Sequence, residues 1–286
     1  MEVEFRLVDV FTEVPFAGNQ LCVVPDPPAE LSSELMQTLA KEIGFSETTF
    51  VTDLGSDGYR VRIFTPGEEL PFAGHPTLGT AFTLATEGRI RTPCIQTTVG
   101  GEVPVDVDSE KGFAWMTQFP PELRDEFEDR ELMASACGLQ VDDLHPELPA
   151  QVVWTGLDWL MVPIRDEATL RRAQRNESAL PELAGKASAA GPYLFAIRGD
   201  GDVMARMFDP YFGIGEDPAT GSAAGPLGAY LAARGLAGMP GRVVVAQGEM
   251  VGRPSFLHVD VQGEGDRMVV RVGGGVRTTG DGVFRV

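Results

Sequence analysis

One short pattern occurs twice in this chain, half a chain length apart. Arg62-Ile63-Phe64-Thr65-Pro66 is matched 144 residues later by Arg206-Met207-Phe208-Asp209-Pro210. Each copy leads through an acidic, glycine-containing loop into a segment without charge. Pro76–Glu87 carries none before Glu87 and stops at Gly88; Ser222–Arg234 carries none before Arg234 and stops at Gly235. A glycine just past the end is a helix stop, and Pro76 suits the first helical position. Charged residues make up 23% of the chain, so two helices free of them stand out. A helix without a polar face is buried on all sides. Among many short strands, the place to bury it is the inside of a curled sheet. The repeat therefore predicts two pseudo-symmetric halves, each a β-barrel-like sheet around a central helix.

The rest of the sequence fits an α+β fold. Glycine (34 residues) and proline (21) exceed ordinary usage in these 286 residues, which predicts many turns. Val3–Val10 alternates apolar and polar residues, as a half-buried strand does. Leu21–Val24, Thr48–Val51 and Tyr59–Phe64 read as strands, and Thr97–Val107 and Gly112–Gln118 continue the pattern. Ser32 or Ser33 caps a helix that carries Leu35, Met36, Leu39, Ala40 and Ile43 and stops at Gly44. In the second half, Gln151–Val153, Trp159–Ile164, Leu194–Arg198 and Val203–Phe208 read as strands. Glu167–Asn176 reads as a charged helix, and Pro121–Leu148 as acidic and partly helical. Strands and helices do not alternate as regular βαβ units. The lobes are expected at 1–119 and 120–275, with a C-terminal strand at about 276–286 packing back on the first.

Charge and cysteine content narrow the function classes. A net charge of −19 repels phosphate backbones and anionic lipid, so no nucleic-acid partner and no membrane partner is expected. No apolar run is long enough to span a bilayer. Cys22, Cys94 and Cys137 form no CxxC pair, which suggests reduced thiols in a cytoplasmic protein. His75, His145 and His258 lie far apart, so no metal motif is present.

A buried helix still begins with unpaired N–H groups. A ligand carboxylate is a good partner for them. Loops Pro71–His75 and Glu216–Ser222 supply the two helix starts, and if both face one cleft the geometry suits a small anionic substrate. The plainer alternative is that His75 and Ser222 cap their helices. Asp217, before a proline, is equally at home in a turn. Glu47, between a helix end and a strand, is not distinguished from other carboxylates by sequence alone.

Several segments together resemble the PhzF-like family of phenazine-biosynthesis isomerases. They are Val8-Asp9-Val10-Phe11 with Phe16-Ala17-Gly18-Asn19, and Ser46-Glu47-Thr48-Thr49-Phe50. Phe64-Thr65-Pro66 with Phe72-Ala73-Gly74-His75-Pro76-Thr77-Leu78-Gly79 follows, and then Glu216-Asp217-Pro218-Ala219-Thr220-Gly221-Ser222-Ala223. Order and spacing fit over essentially the whole chain. The resemblance implies a diaminopimelate epimerase-like fold, the architecture that the repeat predicts independently.

By motif, the resemblance makes Glu47 the proton-shuttling acid/base, with His75 and Asp217 as its catalytic companions. Gly74, Gly221 and Ser222 then bind substrate, with Thr220 and Asn19 beside them. Related epimerases and racemases use a cysteine at each helix start. Here those positions hold Ala73 and Thr220, so the cysteines of this chain read as small buried hydrophobes. The expectation is a cofactor-independent isomerase or epimerase acting by proton transfer on a small carboxylate-bearing metabolite, with no metal. A two-base racemase using Glu47 and Asp217 remains open, as does a metabolite-binding protein that kept the cleft and lost the chemistry. A homodimer is compatible, being the commonest soluble assembly.

Overall fold

The structure, a computed structural model, describes the chain except for residues 200, 212–214 and 237–240. The chain divides into two compact units, Met1–Thr117 with Gly273–Val286, and Gln118–Val272.

The first unit comprises β1 (Glu2–Val10), β2 (Asn19–Val24), α1 (Ser33–Ile43), β3 (Glu47–Leu54), β4 (Gly58–Phe64), β5 (Glu69–Leu70), α2 (Gly74–Thr86), β6 (Cys94–Thr98), β7 (Gly101–Asp108) and β8 (Phe113–Thr117). β1 pairs antiparallel with β2, which runs parallel to β3, and β3 is antiparallel to β4. β4 is parallel to β6, and β6, β7 and β8 form an antiparallel meander. The C-terminal strand Val269–Arg285 pairs with both β1 and β8, so the sheet closes into an eight-stranded barrel without free edges. α1 has the ends the sequence announces. Ser32 Oγ accepts the Leu35 N–H, and Gly44, in the left-handed region, returns its N–H to Ala40.

The second unit comprises β9 (Glu122–Phe127), α3 (Arg130–Ala136), β10 (Ala150–Trp154), β11 (Asp158–Pro163), α4 (Glu167–Arg172), α5 (Leu180–Ala187), β12 (Pro192–Ile197), β13 (Val203–Phe208), β14 (Glu216–Asp217), α6 (Gly221–Ala233), β15 (Gly241–Gln247) and β16 (Ser255–Gln262); the C-terminal strand is β17. Pairing follows the same sequence of senses. β10 and β11 are antiparallel, β11 and β12 parallel, β12 and β13 antiparallel, β13 and β15 parallel, and β15 and β16 antiparallel. The short β5 and β14 pair back on β4 and β13 at equivalent places.

The two repeated Arg-x-Phe motifs occupy matched positions in β4 and β13. Arg62 lies over the Phe64 ring at 4.9 Å, and Arg206 over Phe208 at 4.8 Å. Arg62 pairs with Glu69 of β5 and Arg206 with Glu216 of β14. Duplication thus kept a charge clamp that fastens each short strand to its barrel.

The uncharged segments are the central helices. α2 is buried from Gly74 to Leu84 and packs against β1, β2, β3, β7 and β8. α6 is buried from Gly221 to Leu231 against β10, β11, β15 and β16. Each brings a glycine against its barrel wall. A Cβ on Gly79 would lie 2.6 Å from Leu21 Cδ2, and one on Gly228 would lie 2.4 Å from Val259 Cγ1. Only a glycine lets the helix axis approach that closely. Gly88 and Gly235 end the helices with φ of 71° and 66°.

Several sequence expectations need correction. α2 begins at Gly74, so Pro76 is its third residue; its missing N–H falls among the first-turn donors that lack a helical acceptor anyway. α6 carries Pro226 internally. The helix expected over 167–176 ends at Arg172, because Ala173 is extended. The segment after Pro121 begins with β9, whose side chains are nearly all exposed and show no alternation of burial. α5 was not anticipated. Among the described residues, no helix is long and apolar enough to cross a membrane.

Candidate active site

In the first unit, Asn19, Glu47, Gly74 and His75 come together. Asn19 opens β2 and Glu47 opens β3; these strands are parallel, with Leu21 opposite Glu47, so both begin at one end of the barrel. His75 is the second residue of α2. Its Nε2 lies 3.3 Å from Glu47 Oε2, and its Nδ1 lies 3.1 Å from Asn19 Nδ2. Ser46 Oγ donates to Asn19 Oδ1 at 2.9 Å, which fixes the amide. The His75 side chain is 4% exposed and that of Glu47 13%. The carboxylate is therefore sheltered, yet reachable.

Burial pushes the His75 imidazole down to about 3, against a smaller opposing effect of a hydrogen bond with the Gln20 backbone. The ring is neutral near pH 7 and carries one proton; Asn19 and the Gln20 backbone determine which nitrogen holds it. A neutral ring stands beside the Glu47 carboxylate without forming an ion pair with it. The Nε2–Oε2 contact is too poorly aligned to be a hydrogen bond.

In the second unit, Asp217, Thr220, Gly221 and Ser222 come together. Asp217 ends β14 and is 5% exposed. The Thr220 hydroxyl donates to Asp217 Oδ2 at 2.6 Å. Thr220 is the N-cap of α6, and Ala73 that of α2; neither side chain closes on its helix. His75 and Ser222 are not caps either, since both lie inside their helices. The amides of Gly74 and His75, and of Gly221 and Ser222, thus lead their helices without a side-chain acceptor, an arrangement suited to an anion.

The duplicated scaffold carries different chemistry in its halves. Glu47 opens β3, whereas Pro192 opens β12. Asp217 stands opposite Met207, where Leu70 stands opposite Ile63 in the first unit. His75 corresponds to Ser222 as the second residue of its helix. The carboxylate that opens β3 therefore has no counterpart at the start of β12.

Sequence reasoning missed the buried side chains behind these residues. Gln96 of β6 donates to Thr77 Oγ1 at 2.7 Å and accepts from Tyr59. In the second unit, Gln247 of β15 binds the loop that carries Asp217 and Thr220. A glutamine buried among β-branched strand residues is the one signal for them, because such an amide must find partners. The three cysteines are free and buried. Desolvation raises Cys22 and Cys137 to about 12 and Cys94 to about 11. Among the described residues, no group of three or more His, Cys, Asp or Glu is placed to hold a metal ion.

Comparison with known proteins agrees with this geometry. The family model described as "Phenazine biosynthesis-like protein" matches residues 8–282. The chain is 35% identical over 271 residues to the trans-2,3-dihydro-3-hydroxyanthranilate isomerase of Pseudomonas aeruginosa, covering 92% of each chain. It is 36% identical over 288 residues to a protein of Deinococcus radiodurans called an uncharacterized isomerase, covering 97% of this chain and 93% of the other. A PhzF-family phenazine biosynthesis protein of Bacillus anthracis superposes with a TM-score of 0.87 at 26% identity over 100% of both chains. A hydroxyproline epimerase of Agrobacterium vitis, 13% identical, shares the fold with a TM-score of 0.70, covering 99% of this chain and 92% of the other. By sequence and by fold, the chain is an isomerase of the phenazine biosynthesis-like family.

Proposed function

We propose that this isomerase moves a proton within a small carboxylate-bearing metabolite, that Glu47 is its acid/base, and that it needs no cofactor. The observation that carries this reading is the Glu47 carboxylate, 13% exposed and 3.3 Å from a neutral, buried His75. Moving a proton between two carbons changes no oxidation state of the molecule as a whole, so no redox group is required. The work needs a base near the carbon and donors for the charge that develops. Glu47 takes the proton and returns it elsewhere, beside a His75 ring that Asn19 holds in place. Asp217 and Thr220 hold an amino or hydroxyl group of substrate. The leading amides at Gly74 and Gly221, with Ser222, take carboxylate or enolate oxygen. Proton transfer by a positioned group contributes ~10²–10⁴-fold, so the amide donors must supply much of the remaining acceleration.

The relatives' names suggest trans-2,3-dihydro-3-hydroxyanthranilate as the first compound to test. A panel of α-amino and α-hydroxy acids belongs beside it. Each compound is incubated with the enzyme in D₂O and followed by NMR. Deuterium uptake at carbon, with appearance of an isomer, is expected for at least one compound. Binding by calorimetry with no uptake across the panel would instead favour a metabolite-binding protein. Three reduced, buried thiols suit a cytoplasmic setting.

A further inference from the structure

The network behind Asp217 has only one possible direction. Thr220 N–H, an obligatory donor, points at Gln247 Oε1 at 3.2 Å, and the Asp217 carbonyl, an obligatory acceptor, receives Gln247 Nε2 at 2.8 Å. These two backbone groups fix which end of the amide is oxygen and which is nitrogen. Tyr193, fully buried, must then donate its hydroxyl proton to Oε1 at 2.8 Å. The second Nε2 proton goes to Thr220 Oγ1 at 2.9 Å. Since Thr220 Oγ1 already accepts there, its single proton is directed to Asp217 Oδ2, 2.6 Å away. The chain of donors therefore runs from Gln247 through Thr220 and ends on the Asp217 carboxylate.

We infer that Gln247 is a positioning residue for the reaction, locking Thr220 as a donor so that Asp217 is held as an oriented hydrogen-bond acceptor for substrate. This rests on the reading that Asp217 holds substrate. Gln247 is 2% exposed, and all four hydrogen-bonding positions of its amide are used for this loop or for Tyr193. The buried Gln96 of the first unit bonds instead to Thr77 and Tyr59.

The test uses the whole enzyme and deuterium exchange on the compound panel above. Gln247→Leu is expected to lower kcat by about tenfold or more, the effect of releasing the charge-assisted hydrogen bond from Thr220 to Asp217. In an Asp217→Asn background the same change should cost little further, because Gln247 acts through Asp217. Gln247→Glu keeps the acceptor that Tyr193 and the Thr220 amide need, and loses the donor. Its activity should be low at neutral pH and recover as the introduced carboxyl is protonated, a rescue that a purely structural role would not produce. Full additivity of Gln247→Leu with Asp217→Asn, or unchanged kcat in both Gln247 variants, would overturn the inference. Should Gln247→Leu fail to fold, the isosteric Gln247→Glu and its pH profile decide alone. If Asp217→Asn is itself without effect, or no panel compound exchanges, the underlying reading fails and takes this inference with it. If Asp217→Asn is impaired and the Gln247 variants are not, only the inference fails.

Discussion

The duplicated charge clamp allows a prediction with its control built in. Glu69→Ala and Glu216→Ala remove the same partner from the same motif in different surroundings. Arg206 and Glu216 are 8% and 9% exposed, and their two contacts are bidentate at 2.8 and 2.7 Å. Removing one partner of a buried pair costs about 3–5 kcal/mol, because it strands the other charge. Arg206 retains the carbonyls of Leu170, Arg171 and Ala173, which places the cost near the lower end, at about 3 kcal/mol. Arg62 and Glu69 are 28% and 31% exposed, so water can replace the lost carboxylate and the cost is at most about 1 kcal/mol. At about 2–4 °C per kcal/mol for a unit of this size, Glu216→Ala should lower the melting temperature by about 6–12 °C and Glu69→Ala by about 4 °C or less. Differential scanning calorimetry reads both. Because Asp217 follows Glu216 directly in β14, Glu216→Ala should also impair catalysis while Glu69→Ala leaves it largely intact. Equal melting shifts in the two variants would refute the argument from burial.

Three other outcomes are expected. Between pH 6.5 and about 3 the unfolded chain takes up a proton that folded His75 refuses, so stability should fall with pH through that window by a few kcal/mol. His75→Asn should flatten that decline in urea titrations at pH 7 and pH 4.5. Gly228→Ala should destabilise by about 1–2 kcal/mol, because Val259 and Val261 are stiff and buried, whereas Gly185→Ala, with open space at its Cβ, should stabilise by about 0.5–1 kcal/mol in chemical denaturation. Cys22 and Cys137, with thiols held near 12, should resist iodoacetamide at pH 8 until the protein is unfolded, as mass spectrometry would show.

What the sequence disclosed follows the range of the interactions involved. α2 and α6 were legible because the absence of charge over a dozen residues is local and admits one physical explanation. The Arg-x-Phe repeat disclosed the duplication because it lies within one strand in each half. α1 was legible from its caps, Ser32 and Gly44. β9 was hidden, since Glu122 to Glu126 are all exposed and pair on a sheet without a buried face to pattern them. The charged helix ends at Arg172 although nothing in the sequence near Ala173 marks a stop. Glu47 gained its role by resemblance alone. Its meaning depends on His75, 28 residues away, and on parallel pairing that brings two strand starts together. Gln247 stayed invisible for the same reason, with Tyr193 and Thr220 distant in sequence. Scaffold features are written locally, whereas site features come from long-range register.

The claim that Glu47 moves the proton is tested most directly by Glu47→Gln, assayed for deuterium incorporation from D₂O into the compound that the wild-type enzyme turns over. Glutamine keeps the shape and the neighbours of His75 but cannot accept a proton, so exchange should fall by at least the ~10²-fold expected of a positioned acid/base, with the melting temperature little changed. Exchange at the wild-type rate in a folded Glu47→Gln protein would contradict the account.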